Sequence, residues 1–342
     1  MHTDKTVRFA IIGCGTVAPL HAESISAATG AELVAVADVD LDRARALGAR
    51  FGDPRVYRDV DQLLAAEDVE VVTIATPSGL HAELAVAAAQ AGKHVLCEKP
   101  LDVSADNMSK MIEAADRAGT KLGVIYQRRA YPVGLAVRAA LAEGTFGRLV
   151  LADAYLKYYR SQAYYASAGW RGTWAMDGGG ALMNQGVHGV DMIQWLGGGI
   201  RSVFARAGHL ARNIEVEDTA VAVAEYSHGG FGVIEATTLA YPERSTRFEI
   251  HGESGTVIFD DQGLKEWHQL EGAPAPQSLA VPEIEGVHSY GHYRFIEDMA
   301  AAVRDNREPL VSGREARKAV DVILAIYRSA EIGLPVSVEA PS

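Results

Sequence analysis

Two side chains that can move protons, Lys99 and His188, lie in separate segments marked by proline or by glycines. A third segment, residues 13–18 (GCGTVA), has the glycine spacing that lets a backbone approach a pyrophosphate. A cofactor loop combined with two separated proton-handling residues is typical of an enzyme that transfers a hydride. The sequence therefore predicts oxidation or reduction of a substrate held beside a dinucleotide.

The glycine segment follows a strand-like apolar run, residues 7–12, and opens a helix-like run that ends near residue 28. In this context Gly13 and Gly15 permit a sharp turn and a close approach to phosphate, and Ala18 lets helix and strand pack closely. The free N–H groups and positive dipole of a helix N-terminus favour phosphates. This combination favours a dinucleotide site over a structural glycine turn.

Asp38 ends the second strand-like run, residues 32–38, twenty positions after Ala18. A carboxylate in this position can accept hydrogen bonds from ribose hydroxyls and repels a 2′-phosphate. We therefore expect NAD as the cofactor, and the nearby Arg43 leaves NADP as an alternative.

Residues 98–100 (EKP) follow a short buried strand, residues 94–97. The carboxyl ends of parallel strands face the ligand crevice, where Lys99 could donate to a substrate hydroxyl or carbonyl. The alternative is a solvated loop lysine with Pro100 simply ending the strand, and these residues alone favour neither interpretation.

Another strand-like run, residues 69–75, leads into Thr76, Pro77 and His81. These residues could line the nicotinamide side of the crevice, because they also follow a strand end. An equally good interpretation is a turn followed by a helix that has His81 in its first turn.

Three glycines, residues 178–180, precede a helix-like run, residues 180–196, that carries Asn184, His188 and Asp191. The spacing i, i+4, i+7 places these three on one helical face, and glycines let a ligand or another backbone approach closely. Histidine is suited to accept a proton near neutral pH, although a single histidine on a helix is more often a core or capping residue. We expect no metal site, because an HExxH motif, a cysteine cluster and a convincing carboxylate–histidine spacing are all lacking.

Residues 158–162 (YYRSQ) and 170–174 (WRGTW) combine aromatic and arginine side chains outside any clear strand. Aromatic faces stack on the C–H surfaces of sugars, and guanidinium groups bind hydroxyls, carboxylates or phosphates. Arg160, Trp170 and Arg171 therefore fit an acidic or phosphorylated substrate, and packing at an interface is the equally weighted alternative.

The elements that must position these residues fall into two patterns. Up to residue 126, strands alternate with helices, which predicts βαβ units and a doubly wound parallel sheet. After residue 127, a helix at 132–143 leads into consecutive strands joined by short loops, which predicts a mostly antiparallel sheet. The strands predicted in this second part are residues 149–157, 202–209, 219–226, 232–239, 247–251 and 256–260. Two closing helices are predicted at residues 293–305 and 314–330.

Composition narrows the class of protein. A length of 342 residues is more than one core usually holds, and a net charge of −12 argues against a general nucleic-acid binder or an anionic membrane surface. No apolar run approaches the roughly 20 residues that span a bilayer, and residues 1–6 show no signal-peptide pattern. The two cysteines, Cys14 and Cys97, exclude a disulfide scaffold, and we expect reduced thiols and a cytoplasmic location.

Taken together, the glycine loop, the segment 76–81, residues 98–100 and the segment 184–188 resemble the Gfo/Idh/MocA family, named for glucose–fructose oxidoreductase, inositol dehydrogenase and a rhizopine-catabolism protein. The resemblance covers nearly the whole chain. It implies an N-terminal Rossmann domain with a doubly wound parallel sheet, and an α+β C-terminal domain with a large, mostly antiparallel open sheet. It also implies a cis Lys99–Pro100 bond and a homodimer or homotetramer assembled through the open sheet.

We therefore expect a Rossmann domain over residues 1–126, a substrate-binding and oligomerisation domain over 127–312, and a C-terminal helix, 313–342, that returns to the first domain. The resemblance implies that Lys99 and His188 are catalytic. Asn184 stands where family members commonly carry Asp, and since Asn cannot act as a base, this departure resembles the sugar-nucleotide and modified-sugar oxidoreductases of the family.

The site residues expected from motifs and resemblance form three groups. The expected catalytic residues are Lys99, His188 and Asn184. The expected cofactor-binding residues are Gly13, Gly15, Thr16, Val17, Asp38, Thr76, Pro77, His81, Glu98, Lys99 and Gln127. The expected substrate-binding residues are Lys99, Arg160, Trp170, Arg171, Asn184 and His188.

The expected function is an NAD(P)-dependent oxidoreductase that acts on a secondary hydroxyl of a sugar, cyclitol or sugar derivative, including nucleotide sugars. His188 would take the hydroxyl proton while Lys99 hydrogen-bonds the oxygen, or these two roles are exchanged. Two alternatives remain: a redox-neutral sugar-processing enzyme such as a glycosidase that uses NAD transiently, and a non-catalytic nucleotide-sensing regulator. A sensor needs neither Lys99 nor His188, and the presence of both argues against it.

Overall fold

The computed structural model describes residues 5–272, 275–276 and 279–338. The chain divides into two compact units, one formed by Met1–Gln127 with Pro282–Ala316, and the other by Arg128–Val281 with Arg317–Ser342. Residues 1–4, on which part of the signal-peptide expectation rests, lie outside the described residues.

The first unit is built on a six-stranded parallel sheet. Its strands are β1 (Val7–Ile12), β2 (Ala31–Ala37), β3 (Arg55–Tyr57), β4 (Val71–Ile74), β5 (His94–Cys97) and β6 (Leu122–Val124). Their order, β3-β2-β1-β4-β5-β6, reverses direction between β1 and β4, as in the doubly wound sheets that bind dinucleotides. The predicted Rossmann architecture is therefore confirmed.

The helices follow the sequence signals for starts and stops. They are α1 (Ala18–Ala27), α2 (Leu41–Gly48), α3 (Val60–Leu64), α4 (His81–Gln90), α5 (Ala105–Ala118), α6 (Pro132–Ala142), α7 (Gln162–Ala166), α8 (Val187–Leu196), α9 (Tyr290–Arg304) and α10 (Gly313–Ile332). Asp40 and Asp59 cap α2 and α3 by accepting backbone N–H groups, and Gly119 ends α5 with a φ of +68°. In the described part of the chain, no helix is long and apolar enough to cross a membrane.

Helix α9 belongs to the first unit and packs against α1. It buries Phe295, Ile296 and Met299, which recur at helical spacing on one face. The division thus differs from the expected domain limits, since residues 282–316 accompany the parallel sheet and the unit boundary falls within α10. The sequence pattern shows that both closing helices have an apolar face, but it does not show what each face covers.

The second unit is built on an eight-stranded mixed sheet. Its strands are β7 (Leu149–Lys157), β8 (Ile200–Gly208), β9 (Thr219–Tyr226), β10 (Phe231–Thr237), β11 (Arg247–Gly252), β12 (Gly255–Asp260), β13 (Gly263–Gln269) and β14 (Val336–Ser337). The order is β13-β12-β11-β7-β10-β9-β8-β14, and every neighbouring pair is antiparallel except β7 with β10. The prediction of a large, mostly antiparallel sheet is confirmed.

One face of this sheet is buried and the other is open within the chain. Along β9, Ala220, Ala222 and Ala224 are buried, while Val221 and Val223 alternate with them and are exposed. Such alternation is expected when a sheet packs on helices on one side only. The open face is therefore available for contact with another molecule.

Candidate active site

Four strands of the first unit end at the same level, next to the turns expected to bind the cofactor. Ile12 of β1 pairs with Ala37 of β2 and with Ile74 of β4, and Ile74 pairs with Cys97 of β5. The turns that follow these strands therefore lie at one edge of the sheet, around the point where the strand order reverses. Open parallel sheets bind their ligands at that edge.

The two glycines of the first turn meet different requirements. Gly13 has a φ of +93°, and a Cβ on it would lie 2.8 Å from the carbonyl carbon of Ala75, so the turn requires glycine. A Cβ on Gly15 would meet no atom within 4 Å, which means that the space beside its backbone is open. A pyrophosphate needs such a space to approach the chain.

The amino end of α1 is free of groups that would compete with a phosphate. Thr16 and Val17 lead into the helix, no side chain caps it, and its first turn contains no acidic residue. Within that turn Pro19 has no N–H and the Leu20 N–H donates to the Val17 carbonyl at 2.9 Å, so an external acceptor would meet the backbone that precedes Pro19. The positive end of the helix dipole favours an anion there. Together with the space at Gly15, this helix end fits the diphosphate of a dinucleotide.

The Asp38 carboxylate lies beside the glycine turn. Its Oδ2 accepts the backbone N–H of Cys14 at 2.7 Å, and its Oδ1 accepts that of Asp40 at 2.8 Å. Arg43 pairs with Asp40 at 3.1 Å and is mostly exposed.

Burial, followed by the charge of Asp38, raises the pKa of the Cys14 thiol to about 12, and burial raises that of Cys97 well above its usual value. Both thiols are thus neutral packing groups rather than nucleophiles.

Two buried polar atoms near the strand ends have no hydrogen-bond partner among the described residues. They are Oγ1 of Thr76, which follows β4, and Oε1 of Gln127, which comes three residues after β6. Because buried polar atoms are nearly always hydrogen-bonded, these two indicate a ligand or ordered water at this edge. This observation supports their expected roles in cofactor binding.

His81 supports two of the turns from the interior. Its ring is buried, with Nδ1 2.9 Å from the carbonyl oxygen of Pro100 and Nε2 3.1 Å from that of Thr76. Burial lowers the pKa of this imidazole. The structure therefore places His81 between the turns that follow β4 and β5, with both ring nitrogens facing backbone carbonyls rather than a cofactor.

Glu98 is also turned toward the interior. Its Oε1 lies 3.0 Å from Nε2 of His21 and 2.9 Å from Nε2 of His292. The side chain therefore contacts two histidines instead of facing a cofactor. Lys99 follows it, is partly buried, and is joined to Pro100 by the cis bond that the resemblance implied. The three residues His21, Glu98 and His292 form the one group within the described ranges that could hold a metal ion.

In the second unit, the segment that carries Asn184 and His188 is not one continuous α-helix. Residues Ala181–Gly186 form a π-helical turn, and α8 begins at Val187. The wider turn changes the angular spacing, so the predicted common α-helical face of Asn184, His188 and Asp191 is wrong. Single π-helical turns occur frequently at functional sites.

The glycines before this turn permit close packing of protein on protein. A Cβ on Gly180 would lie 2.1 Å from the carbonyl oxygen of Glu217, and one on Gly179 would lie 2.0 Å from the Tyr327 hydroxyl. The Glu217 carboxylate accepts the backbone N–H groups of Gly180 and Leu182 at 2.9 and 2.8 Å, and the Tyr327 hydroxyl at 2.9 Å. Burial raises the pKa of Glu217 to about 7. No sequence pattern indicates this support, because Glu217 lies outside every motif.

Asn184 belongs to a chain of polar side chains. Its Nδ2 donates to Asp177, and its Oδ1 accepts from Nε2 of Gln185 at 2.8 Å. Oε1 of Gln185 accepts from Nε of Arg160 at 3.0 Å, and Asp177 also accepts the backbone N–H of Gly172. The amide of Asn184 is therefore oriented by a carboxylate, and this segment is linked directly to the aromatic and arginine loop.

The loop residues form one cluster around Tyr164. The guanidinium carbon of Arg171 lies 4.3 Å from the Tyr164 ring centroid and 4.6 Å from that of Trp170, and Arg160 lies 5.6 Å from the Tyr164 ring. Nε of Arg171 is buried without a hydrogen-bond partner in the described part of the chain. Arg160 is already paired with Glu243 at 2.9 Å, so the charge next to these aromatic faces that suits an anionic sugar derivative is that of Arg171, together with its unsatisfied donor. Sequence reasoning found both arginines but not Tyr164, Asp177 or Gln185.

The Asp191 carboxylate has a structural role, as the partner of a buried arginine. Its carboxylate forms a bidentate ion pair with Arg129, at 2.6 and 2.8 Å, and both side chains are buried. The Arg129 guanidinium also stacks over Trp195, 5.0 Å from its centroid. Charge pairing of this kind satisfies a buried carboxylate, so Asp191 anchors α8 in the second unit.

The first unit has a doubly wound parallel sheet with an open turn at its switch point, which defines a dinucleotide-binding fold. The second unit is built on a large, mostly antiparallel sheet. Residues 7–126 match the family model described as an oxidoreductase family with an NAD-binding Rossmann fold. Residues 135–258 match the model of the GFO/IDH/MocA C-terminal domain. The chain therefore belongs to the Gfo/Idh/MocA family of NAD-binding oxidoreductases, as its motifs implied.

Similar proteins extend over nearly the whole chain. Inositol 2-dehydrogenase of Acidothermus cellulolyticus is 30% identical over 97% of this chain and 94% of its own length. D-apiose dehydrogenase of Paraburkholderia graminis is 29% identical over 99% of this chain and 91% of its own. The crystal structure of the WlbA dehydrogenase of Bordetella pertussis, in complex with NADH and UDP-GlcNAcA, is 35% identical with a TM-score of 0.92 and covers 99% of both chains.

Proposed function

We propose that this protein oxidises a secondary hydroxyl of a negatively charged sugar derivative with NAD, and that a nucleotide sugar carrying a carboxylate is the favoured substrate class. The observation that supports this class most is the Arg160–Arg171–Tyr164 cluster, which is hydrogen-bonded through Gln185 to Asn184. The similarity to the WlbA dehydrogenase crystallised with NADH and UDP-GlcNAcA supports the same class.

The cofactor would be held by the first unit. The open space at Gly15 and the positive end of α1 suit the diphosphate, and Asp38 suits the ribose hydroxyls. Thr76 and Gln127 contribute polar atoms that have no partner among the described residues. When bound, NAD supplies the nicotinamide carbon that accepts the hydride. The negative charge of Asp38 disfavours the additional phosphate of NADP.

The proton chemistry is assigned to Lys99 and His188. As an ammonium donor, Lys99 hydrogen-bonds the substrate oxygen and stabilises negative charge that develops on it. His188 accepts the hydroxyl proton, since a neutral imidazole is a base near neutral pH. The two roles can be exchanged without changing the residues involved.

Asn184 has an orienting role in this proposal. Both ends of its amide are engaged, one with Asp177 and the other with Gln185. A neutral amide transfers no proton, so the residue fixes the π-helical turn that precedes His188 rather than acting as a base. The resemblance implies a carboxylate at this position in family members, and in this chain Asp177 offers a carboxylate that accepts from Asn184.

The open face of the second sheet supports the expected assembly. Phe204, Val221, Val223 and Phe231 are 40–57% exposed there, and Phe204 pairs directly with Val223 across β8 and β9. Apolar clusters of this kind mark protein interfaces. We propose that two or four copies of the chain assemble through this face.

The two cysteines support a reducing compartment. Cys14 and Cys97 are both buried and free, and neither thiol is ionised at neutral pH. Free thiols persist where the environment is reducing, so we propose the cytoplasm as the location.

A substrate panel followed at 340 nm tests the function. Purified protein is combined with NAD or NADP and with inositols, neutral sugars, sugar acids, and UDP-sugars with and without a carboxylate. We expect NADH formation with NAD and a carboxylate-bearing nucleotide sugar. A signal confined to neutral sugars contradicts the proposed class. Silence across the panel, with NAD binding shown by calorimetry, favours a redox-neutral enzyme or a sensor.

A further inference from the structure

Three buried side chains from distant parts of the first unit meet next to the Lys99 turn. His21 lies in α1, Glu98 follows β5, and His292 lies in the first turn of α9. Their exposed fractions are 0%, 6% and 5%. Both Nε2 atoms contact the same carboxylate oxygen, at 3.0 and 2.9 Å, and the two rings pack edge to face with centroids 5.4 Å apart.

The hydrogen bonds around this cluster are consistent with donation from the histidines to Glu98. The Ser289 hydroxyl lies 2.6 Å from Nδ1 of His292, so a neutral His292 can accept from Ser289 while its Nε2–H donates to Glu98. Burial lowers the pKa of His21. Burial alone raises the pKa of Glu98, but the hydrogen bonds from both histidines outweigh it and hold that pKa well below its usual range. The geometry lets each imidazole donate an Nε2–H to the same carboxylate oxygen.

The second oxygen of Glu98 reaches the main chain of the next residue. Oε2 accepts the backbone N–H of Lys99 at 3.2 Å, and the backbone N–H of Glu98 donates to Ile74 of β4 at 2.9 Å. His21 belongs to the helix that begins at the glycine turn. One hydrogen-bonded network therefore connects the helix of the cofactor turn, the Lys99 main chain and α9.

We propose that His21 and His292 are positioning residues that act on Lys99 through Glu98 and fix the lysine relative to the helix of the cofactor turn. The catalytic consequence rests on the proposed function, whereas the network itself does not. Positioning of this kind matters because a displacement of about 1 Å at a reacting group costs about 100-fold in rate.

Substitution of His292 separates positioning from folding. His292→Ala removes one donor to Glu98, and His292→Gln restores a side-chain N–H near the former Nε2. We expect His292→Ala to lower kcat by about 10- to 100-fold, with little change in the affinity for NAD, and His292→Gln to recover most of that loss. His94→Ala is the matched control, since His94 lies at the other end of β5 and accepts the Lys121 backbone N–H at 2.9 Å.

Glu98→Gln provides a second variant should the alanine variant fold poorly. This substitution keeps the size of the side chain. Its amide nitrogen, however, must face one of the N–H groups that donate hydrogen bonds to the Glu98 carboxylate. We expect a loss of kcat similar to that of His292→Ala. A kcat for Glu98→Gln and His292→Ala no lower than that of His94→Ala overturns the positioning role.

Hydrogen exchange of the Lys99 amide supplies a readout that needs no turnover. We expect faster exchange in His292→Ala and in Glu98→Gln than in wild type or His94→Ala. Unchanged exchange overturns the proposal whether or not a substrate is found, while faster exchange without dehydrogenase activity in wild type leaves the network intact and defeats only the proposed function. The proposal is also overturned if wild type binds one equivalent of metal and His292→Ala does not, because the histidines would then be metal ligands rather than hydrogen-bond donors.

Discussion

Nε of Arg160 lies 3.0 Å from Oε1 of Gln185, and Nε2 of Gln185 lies 2.8 Å from Oδ1 of Asn184. The loop expected to bind the substrate is thus hydrogen-bonded to the π-helical turn that precedes His188. Under the proposed function, a substrate anion that replaces Glu243, 2.9 Å from Arg160, would also act on the orientation of that turn. Recognition of charge and placement of the proposed base would then be coupled within the second unit.

Loss of Arg171 is expected to change substrate selectivity rather than turnover in general. Arg171→Met keeps an unbranched apolar side chain but removes the charge, the guanidinium over Tyr164 and the buried Nε donor. A hydrogen bond to a charged group contributes about 1.5–3 kcal/mol, so kcat/KM for a carboxylate-bearing nucleotide sugar should fall at least about 10-fold. The ratio of kcat/KM between this substrate and its analogue without the carboxylate measures the effect. Arg148→Met, which removes an exposed arginine paired with Glu253, is the control, and equal losses on both substrates contradict the prediction.

Asp38 is expected to determine the preference for NAD. Asp38→Asn retains an acceptor for the Cys14 N–H but removes the charge that repels a 2′-phosphate. Removal of that repulsion should strengthen NADP binding by about 10-fold relative to NAD, which corresponds to about 1.4 kcal/mol. Calorimetric titration of both cofactors into both proteins measures this change. An unchanged NAD-to-NADP affinity ratio shows that Asp38 does not face the ribose.

Glu217 is expected to make the stability of the protein depend on pH. The pKa of Glu217 is about 7 in the folded protein, above its ordinary value of 4.5. As the pH rises, the carboxyl therefore loses its proton at a lower pH in the unfolded chain than in the folded protein. Stability is therefore lost between about pH 4.5 and pH 7, by up to about 3 kcal/mol for this one group.

Urea unfolding of wild type and Glu217→Gln across pH 5–8 isolates this contribution. The variant lacks the titrating group, so its unfolding free energy should not show this loss. As the pH rises, the unfolding free energy of wild type should fall relative to that of the variant. A constant offset between the two proteins shows that the carboxyl of Glu217 is already ionised at low pH in the folded state.

The open sheet face is expected to hold the assembly together. Val223→Glu places a charge at a position that is 53% exposed in one chain and lies among apolar neighbours, so the complex should dissociate into smaller species. Light scattering coupled to size exclusion gives the mass. Leu310→Glu, at a 44% exposed position in the first unit, is the control. A monomeric wild type, or an unchanged mass for Val223→Glu, contradicts assembly through this face.

Much of the fold follows from patterns that are local in sequence. β9 occurs at the residues predicted for it, Thr219–Tyr226, where a valine-rich run ends at the turn residues 227–230. The strands β3, β13 and β14 were not predicted. β3 and β14 have three and two residues and carry no periodic signal, whereas β13 is polar at most of its positions and lacks the apolar pattern of a strand. The partner of α9 was also missed, since an apolar helical face shows that something is covered but not which sheet.

The candidate site was predictable only where a motif exists. Gly13 and Gly15 have the geometry that their spacing indicated. The burial of Glu98 on His21 and His292 depends on residues up to 194 positions apart, and no local pattern encodes it. Asp177, Gln185 and Glu217 are single polar residues whose importance arises from tertiary hydrogen bonds.

The measurement that tests the central claim most directly compares wild type with Lys99→Ala in two assays on the same samples: NADH formation at saturating substrate, and NAD affinity by calorimetry. Since Lys99 is assigned to the substrate oxygen, the variant should lose about 100- to 10,000-fold in turnover while its affinity for NAD stays close to that of wild type. Retained turnover, or a loss of NAD binding as large as the loss of turnover, would contradict this assignment.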